Sequence, residues 1–380
     1  MYKTCLKNNF MMLTLVANHL RASTTPPETP ILFNYESKVC KVTINRPKIL
    51  NAQSLEVLSL LKKEASKWDL DNNTRVAIVT GAGKAFSVGG DIKSMYEARN
   101  DVNGREMIDA MFRTQYSMDY YLANMKTIQV VFWDGMVMGG GVGISVYAPI
   151  RIATENAVFA MPEGKIGLFT DCGAGYFFSR VRNNYGYLMG IAGHRLRGQE
   201  IVKAGLADYY VKSEKLASLE REIIEKTDSK TTLEDVRKIV EKYQEPILDK
   251  KLPYEDFVKD IFGRKTVDEI YEALQNATEN KEFAQKILAA MDGQCPFSMK
   301  VIHELIKRGK DLDIKENLKN DMRLLQRFLD GTDFFEGVRC TLVDKNDKPK
   351  WVYPTLKDVP QKEVERYFEK LPPHLELQLP

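Results

Sequence analysis

Residues 161–175 read MPEGKIGLFTDCGAG. Two acids, Glu163 and Asp171, stand eight residues apart among glycines and apolar side chains. The segment follows AVFA, a run that predicts a strand ending just before Glu163. It leads into CGAGYFF, which predicts a turn or helix start beside Asp171. Gly164 and Gly167 let the connection fold back, so that both acids can share one pocket. Apolar surroundings raise the pKa of at least one of them. Paired carboxyls with different pKa values suit general acid–base work or attack by a carboxylate nucleophile. On these residues alone a plainer reading also stands, with Asp171 as a helix N-cap and Glu163 in a surface turn.

The preceding chain alternates in the same way. KVCKVTINRP is rich in β-branched residues and stops at Asn45-Arg46-Pro47, while RVAIVTGAG and IQVVFWDG are buried-strand runs closed by turn residues. Between the first two, residues 55–71 place Leu55, Leu58, Leu61 and Ala65 on one helical face. Strands alternating with helices predict an α/β class. After about residue 225 the texture becomes charged and periodic. TTLEDVRKIVEKY offers Thr231 and Glu234 as a capping box, and TVDEIYEAL offers Thr266 and Glu269. We therefore expect a leader and linker over 1–30, an α/β core over 31–225 and a mostly helical region over 226–380.

A chain of 380 residues with 44% apolar side chains can bury a substantial core. A formal net charge of +3 argues against an extended nucleic-acid groove, although it allows a local basic pocket for a phosphorylated ligand. The five cysteines are widely spaced and form no CxxC, which opposes a zinc or redox motif and fits a reducing compartment. No apolar run approaches a membrane span. The first thirty residues carry Lys3, Lys7 and Arg21 but no acid before Glu28, a composition that fits a mitochondrial transit peptide. MMLTLVA makes a secretory signal the rival, and a disordered tail is the simpler alternative. TTPPETP reads as a linker, because its prolines block helix and sheet alike.

Two glycine-rich loops follow strands: TGAGKAFSVGGDIKSM (80–95) and DGMVMGGGVGISV (134–146). The first fails the phosphate-loop pattern, since Ala85 follows Gly83-Lys84, and fails the dinucleotide pattern at Phe86. Both loops let backbone N–H groups approach a ligand oxygen, and a helix start after the second adds positive potential. Two such amides can serve one developing oxyanion, though a glycine turn is more often only a turn. Histidine chemistry lacks parts. His19 lies in the leader and His374 near the end; His303 falls mid-helix, and His194 has no nucleophile elbow beside it. Cys172 reads as a small apolar filler, and no HExxH or histidine cluster offers a metal site.

Taken together, INRPKILNAQS, GKAFSVGGDI, MGGGVGISV and FAMPEGKIGLFTDCGAGYFFSR resemble, in order, the motifs of the crotonase (enoyl-CoA hydratase/isomerase) superfamily. Within it they are most similar to the 3-hydroxyisobutyryl-CoA hydrolases of valine breakdown. GHRLRGQEIVKAGLADYYVKSEKLASLE and DFFEGVRCTLVDKNDKPKW extend the resemblance from about residue 31 to the end. It implies a crotonase-like spiral of ββα turns binding coenzyme A thioesters, with coenzyme A as part of the substrate and no separate cofactor. It implies backbone N–H donors at Ser87 and Gly140, catalytic acids at Glu163 and Asp171, and an acyl-binding residue at Gln115. Arg46, Lys48 and Lys84 flank the loops and are candidates for the coenzyme A phosphates. The hydratases of this superfamily carry a glutamate where Gly143 stands and a glycine where Asp171 stands, so thioester hydrolysis fits better than water addition.

Three positions depart from the hydrolases. Gln115 replaces a glutamate, Thr170 replaces the proline of FPD, and a lysine-proline pair is lost in KTIQVV. These departures keep a second role open, since relatives of these hydrolases serve as structural proteins of the mitochondrial small ribosomal subunit; the retained acids and loops oppose it. A hydratase or isomerase is a third reading, disfavoured by Gly143. The expected setting is the mitochondrial matrix, with an acyl-CoA partner and neither membrane nor nucleic acid outside the ribosomal alternative. The helical C-terminal third can cap the site or mediate self-association as a homo-oligomer.

Overall fold

A computed structural model describes residues 29–71, 73–247 and 249–380. The segment expected as a transit peptide falls, through residue 28, outside the described residues. Residues Ile31–Pro380 form one compact unit that spans the 225/226 boundary. The described strands are β1 (Ile31–Glu36), β2 (Val39–Ile44), β3 (Val76–Gly81), β4 (Ala85–Ser87), β5 (Ile128–Trp133), β6 (Met136–Met138), β7 (Ile150–Ala153), β8 (Val158–Ala160), β9 (Leu196–Arg197) and β10 (Tyr209–Tyr210). They make a six-stranded sheet in the order β1-β2-β3-β5-β7-β10 and a four-stranded sheet in the order β4-β6-β8-β9. β1 pairs with β2 antiparallel, and the larger sheet is parallel from β2 onward. The pairs β3–β4, β5–β6 and β7–β8 each give one strand to each sheet, which is the repeated step of the expected spiral.

β5 is buried at every position, as a parallel strand covered on both faces must be, and therefore reads as the unbroken run IQVVFW. Its one polar side chain is satisfied, with Gln129 Nε2 donating to Leu122 O at 2.7 Å. Helix α1 (Leu55–Asp71) occupies the predicted span and buries Leu58, Leu61 and Ala65. The long helix α2 (Gly104–Asn124) leads into β5. The helix expected after the second glycine loop is a single turn, α3 (Gly140–Gly143).

Beyond β8, α4 (Ala174–Phe178) and α5 (Tyr185–Ala192) precede a C-terminal region that is mostly helical. Its first capping box falls one residue later than expected. Thr232 and Asp235 make it at the start of α6 (Leu233–Glu241), while Thr231 Oγ1 accepts from Asp228 N–H at 2.8 Å. Thr266 caps α7 (Val267–Gln275), but Glu269 reaches the Lys265 N–H instead of closing a box on the cap itself. Helices α8 (Pro296–Gly309) and α9 (Ile314–Asp330) lie against the loop that carries both acids. Cys295 N–H donates to Gly164 O at 2.9 Å, and the Phe169 ring lies 5.3 Å from Phe328. The C-terminal third is thus built onto the loop that carries Glu163 and Asp171.

Candidate active site

Glu163 begins a short 3-10 turn two residues after β8, and Asp171 precedes the turn into α4. Leu168 N–H returns to Glu163 O at 3.1 Å, so the loop folds back as its glycines allow. Both acids are buried, at 7% and 4% exposure. Burial pushes the Glu163 carboxyl well above the usual range, and the Asp171 charge adds to it. Burial also pushes Asp171 up to about 6, opposed by hydrogen bonds from Tyr116 and Cys172. The N-cap reading of Asp171 fails, because α4 is capped by Gly173 and the Asp171 carboxylate accepts from Tyr116 Oη at 2.9 Å.

The two glycine loops meet. A β-carbon built on Gly89 would come within 2.9 Å of Gly140 N, and one on Gly141 within 2.5 Å of Ser87 O. Gly140 is the first residue of α3, so its N–H has no acceptor within the helix. Gly139 has φ 51°, and Glu163 Oε1 lies 3.0 Å from the place a β-carbon would take there. The acid therefore sits beside the residue that precedes the Gly140 amide. Ser87 is fully buried, and its hydroxyl donates to Asn51 O at 2.9 Å.

Gln115 is buried on α2, and its Nε2 donates to Asp119 Oδ1 at 2.6 Å and to Gly140 O at 3.4 Å. Gln53 was not expected from sequence. Its N–H bonds Gly89 O at 2.7 Å, its carbonyl accepts from Asp91 N–H at 2.8 Å, and its Nε2 reaches Gly140 O at 3.1 Å, tying both loops together. Tyr116, Asp119 and Asp321 were also missed. Asp321 arrives from α9 and accepts from Gly173 N–H at 2.6 Å, fixing the turn behind Asp171. Burial pushes the carboxyls of Asp119 and Asp321 well up, and the Asp171 charge reinforces both.

The remaining expectations sort as follows. Arg46 is engaged internally, with its guanidinium donating to Ala52 O at 2.6 Å and pairing with Asp91 at 3.4 Å. Lys48 and Lys84 are exposed on neighbouring turns, where a β-carbon on Gly83 would lie 3.1 Å from Pro47 Cβ. His303 is buried mid-helix against Tyr187. His194 is half-buried, and desolvation pushes its imidazole down to about 4. Cys172 is buried with a free thiol that burial pushes well up. Among the described residues no group of acids, cysteines or histidines is arranged to hold a metal ion, and no helix is long and apolar enough to cross a membrane.

Comparison with known proteins adds an independent line. A family model described as enoyl-CoA hydratase/isomerase matches residues 39–368. The mitochondrial 3-hydroxyisobutyryl-CoA hydrolase of Rattus norvegicus is 36% identical over 365 residues, covering 94% of this chain and 93% of that one. The protein of the same name from Dictyostelium discoideum is 36% identical, covering 96% and 99%. The crystal structure of a carnitinyl-CoA dehydratase from Mycobacterium thermoresistibile superimposes with TM-score 0.83 at 26% identity, over 92% of this chain and 99% of that one. From the paired loops, the two-sheet spiral and these matches together, the chain belongs to the enoyl-CoA hydratase/isomerase family.

Proposed function

We propose that this protein hydrolyses the thioester of 3-hydroxyisobutyryl-CoA to 3-hydroxyisobutyrate and coenzyme A. The observation that carries the reading is the buried, electrostatically coupled pair Glu163 and Asp171, with Glu163 beside Gly139, the residue before the Gly140 amide, in a chain about 36% identical to enzymes named for that hydrolysis. The thioester oxygen is received by the N–H groups of Ser87 and Gly140, each donor contributing about 3–4 kcal/mol to the lowered barrier. The pair shares one proton; with that proton on Asp171, the Glu163 carboxylate attacks the carbonyl carbon, the tetrahedral oxyanion collapses, and the coenzyme A thiolate leaves with the proton of Asp171. Water then opens the resulting anhydride and returns a proton to Asp171, and the product leaves as carboxylate with its proton released to solvent. A carboxyl with pKa about 6 exchanges protons in both directions near neutral pH. Tyr116 orients it.

Gln115 takes the place of the acyl-binding acid, and Lys48 and Lys84 meet the phosphates of coenzyme A. The relatives' names support a mitochondrial setting, and the proposed reaction is a step of valine breakdown in the matrix. Coenzyme A enters as part of the substrate, and no other cofactor takes part. The test is direct: purified protein and 3-hydroxyisobutyryl-CoA, with released thiol followed by a chromogenic disulfide. Turnover is expected, and no thiol release removes the reading.

A further inference from the structure

We infer that Asp119 is a positioning residue which fixes the end of the Gln115 amide that faces the acyl chain, and that it thereby sets a preference for hydroxylated acyl groups. This rests on the acyl-CoA reading above and names the element that would read the acyl chain.

A glutamine amide has a donor end and an acceptor end of nearly the same shape, so its own packing does not choose between them. Gln115 and Asp119 are one turn apart on α2 and share a face. The Nε2 end of Gln115 is held by Asp119 Oδ1 at 2.6 Å, and by Gly140 O at 3.4 Å. Its Oε1 end lies 3.0 Å from the place a β-carbon on Gly140 would take, beside the amide assigned to the thioester oxygen. Turning the amide over would set Oε1 against Oδ1, two acceptors in contact in a buried site. Asp119 itself is fully buried, and its Oδ2 has no hydrogen-bond partner among the described residues. Burial favours the protonated acid there; with the proton on Oδ2, Oδ1 remains an acceptor and the orientation is unchanged.

Gln53 repeats the arrangement from the other side. Its Nε2 also donates to Gly140 O, and its Oε1 lies 2.6 Å from the same β-carbon position and is unpartnered. Two amide oxygens therefore lie within 3.0 Å of one point beside Gly140, and that of Gln53 is buried without a partner. A hydroxyl on the acyl chain supplies a donor there, and a plain hydrocarbon chain supplies none. Discrimination of this kind, by a buried group left without its partner, is stronger than that from shape alone.

The experiment reads binding without turnover. In a Glu163→Gln background, titration calorimetry compares 3-hydroxyisobutyryl-CoA with isobutyryl-CoA. The hydroxylated ligand is expected to bind about tenfold more tightly, the ratio one buried hydrogen bond supports. Adding Asp119→Leu is expected to bring the ratio close to one while isobutyryl-CoA affinity stays within about threefold. Asp119→Asn, which can still present Oδ1 to Gln115, is expected to keep most of the ratio. A preference that survives Asp119→Leu overturns the proposal, and so does a parent with no preference. The hydrolase reading is judged separately, by thiol release from the unmutated chain. Should Asp119→Leu not fold, Gln115→Glu serves instead. It presses two carboxyls together and is expected to weaken both ligands, and adding Asp119→Asn is expected to restore the hydroxyl preference. Failure of that restoration overturns the proposal as well.

Discussion

Gly143 lies so close against Cys172 that a β-carbon built on the glycine falls 2.8 Å from both Cβ and Sγ of the cysteine. Asp119 Oδ2 is 2.7 Å from the same point. The position where hydratases of the resembled superfamily carry an acid is therefore closed by the neighbours themselves. Gly143→Glu is expected to create no hydratase. It should lower stability by about 3 kcal/mol through overpacking and an added buried acid, read as a fall in urea midpoint, with no loss of crotonyl-CoA absorbance. Hydration by a well-folded variant would show that Cys172 and Asp119 can move aside.

Glu163→Gln and Asp171→Asn each remove one acid without changing its shape. Each is expected to lower kcat by roughly 10²–10⁴, the usual range for a lost acid–base group. Neither should lower the melting temperature, because each removes a desolvated ionisable group from the interior. Near-normal rates in both variants would break the mechanism.

The elevated acids also fix how stability depends on pH. Asp171 titrates near 6 in the folded chain and about 4 when unfolded, so the folded state binds more protons over that interval. Its contribution therefore becomes less favourable as pH rises through the interval, and the cost is fully present above about 6. Asp171→Asn removes the cost. Its urea midpoint is expected to exceed that of the unmutated chain above pH 6 and to converge with it below pH 4. Activity needs Glu163 ionised and Asp171 carrying a proton, so kcat/KM should be bell-shaped, falling toward acid pH as Glu163 gains a proton and toward alkaline pH as Asp171 loses one, with apparent pKa values belonging to the pair. An excess in midpoint that grows toward low pH would reverse the sign argued here.

Local signals carried the sequence reading, and distant contacts escaped it. Helix α1 was legible because Leu58, Leu61 and Ala65 repeat with a helical period, and β5 because a doubly covered strand is a near-continuous apolar run, broken here only by Gln129. The displaced capping box shows the resolution of such signals: Thr231 and Thr232 each have an acid three residues on, and only packing selects the second. Tyr116 meets Asp171 across 55 positions, and Asp321 meets Gly173 across 148. No periodicity encodes pairs like these. Gln53 and Asp119 read as ordinary polar residues until the fold sets Gln53 against Gly140 and Asp119 against Gln115.

Thr170, which stands where the resembled hydrolases have proline, is fully buried with an Oγ1 that has no partner among the described residues. Thr170→Val keeps the shape and deletes the unpaired hydroxyl. It is expected to raise stability by about 1 kcal/mol, measured as an increased urea midpoint at unchanged slope. A loss of stability would mean that the hydroxyl is satisfied in solution.

The last prediction separates the two chemical routes open to Glu163. Its Oε1 lies beside Gly139, one residue before the amide assigned to the thioester oxygen, and its Oε2 is buried without a partner. An oxygen in that position is desolvated and adjacent to the carbon that the amide would present, which favours direct attack over activation of a water. Direct attack leaves an anhydride on Glu163 that hydroxylamine converts to a glutamyl hydroxamate. A thiolate can leave without a proton but attacking water must lose one, so Asp171→Asn slows the water step more than the first and should let the anhydride accumulate. With this variant, substrate and hydroxylamine together are expected to shift the mass of the peptide containing Glu163, and hydroxylamine without substrate should leave it unchanged. Acyl hydroxamate forms by either route; if instead none is found on Glu163 and thiol release in this variant shows no burst ahead of acid formation, Glu163 acts as a base toward water. The nucleophilic step would then be replaced, with the oxyanion donors and the role of Asp171 as proton carrier left in place.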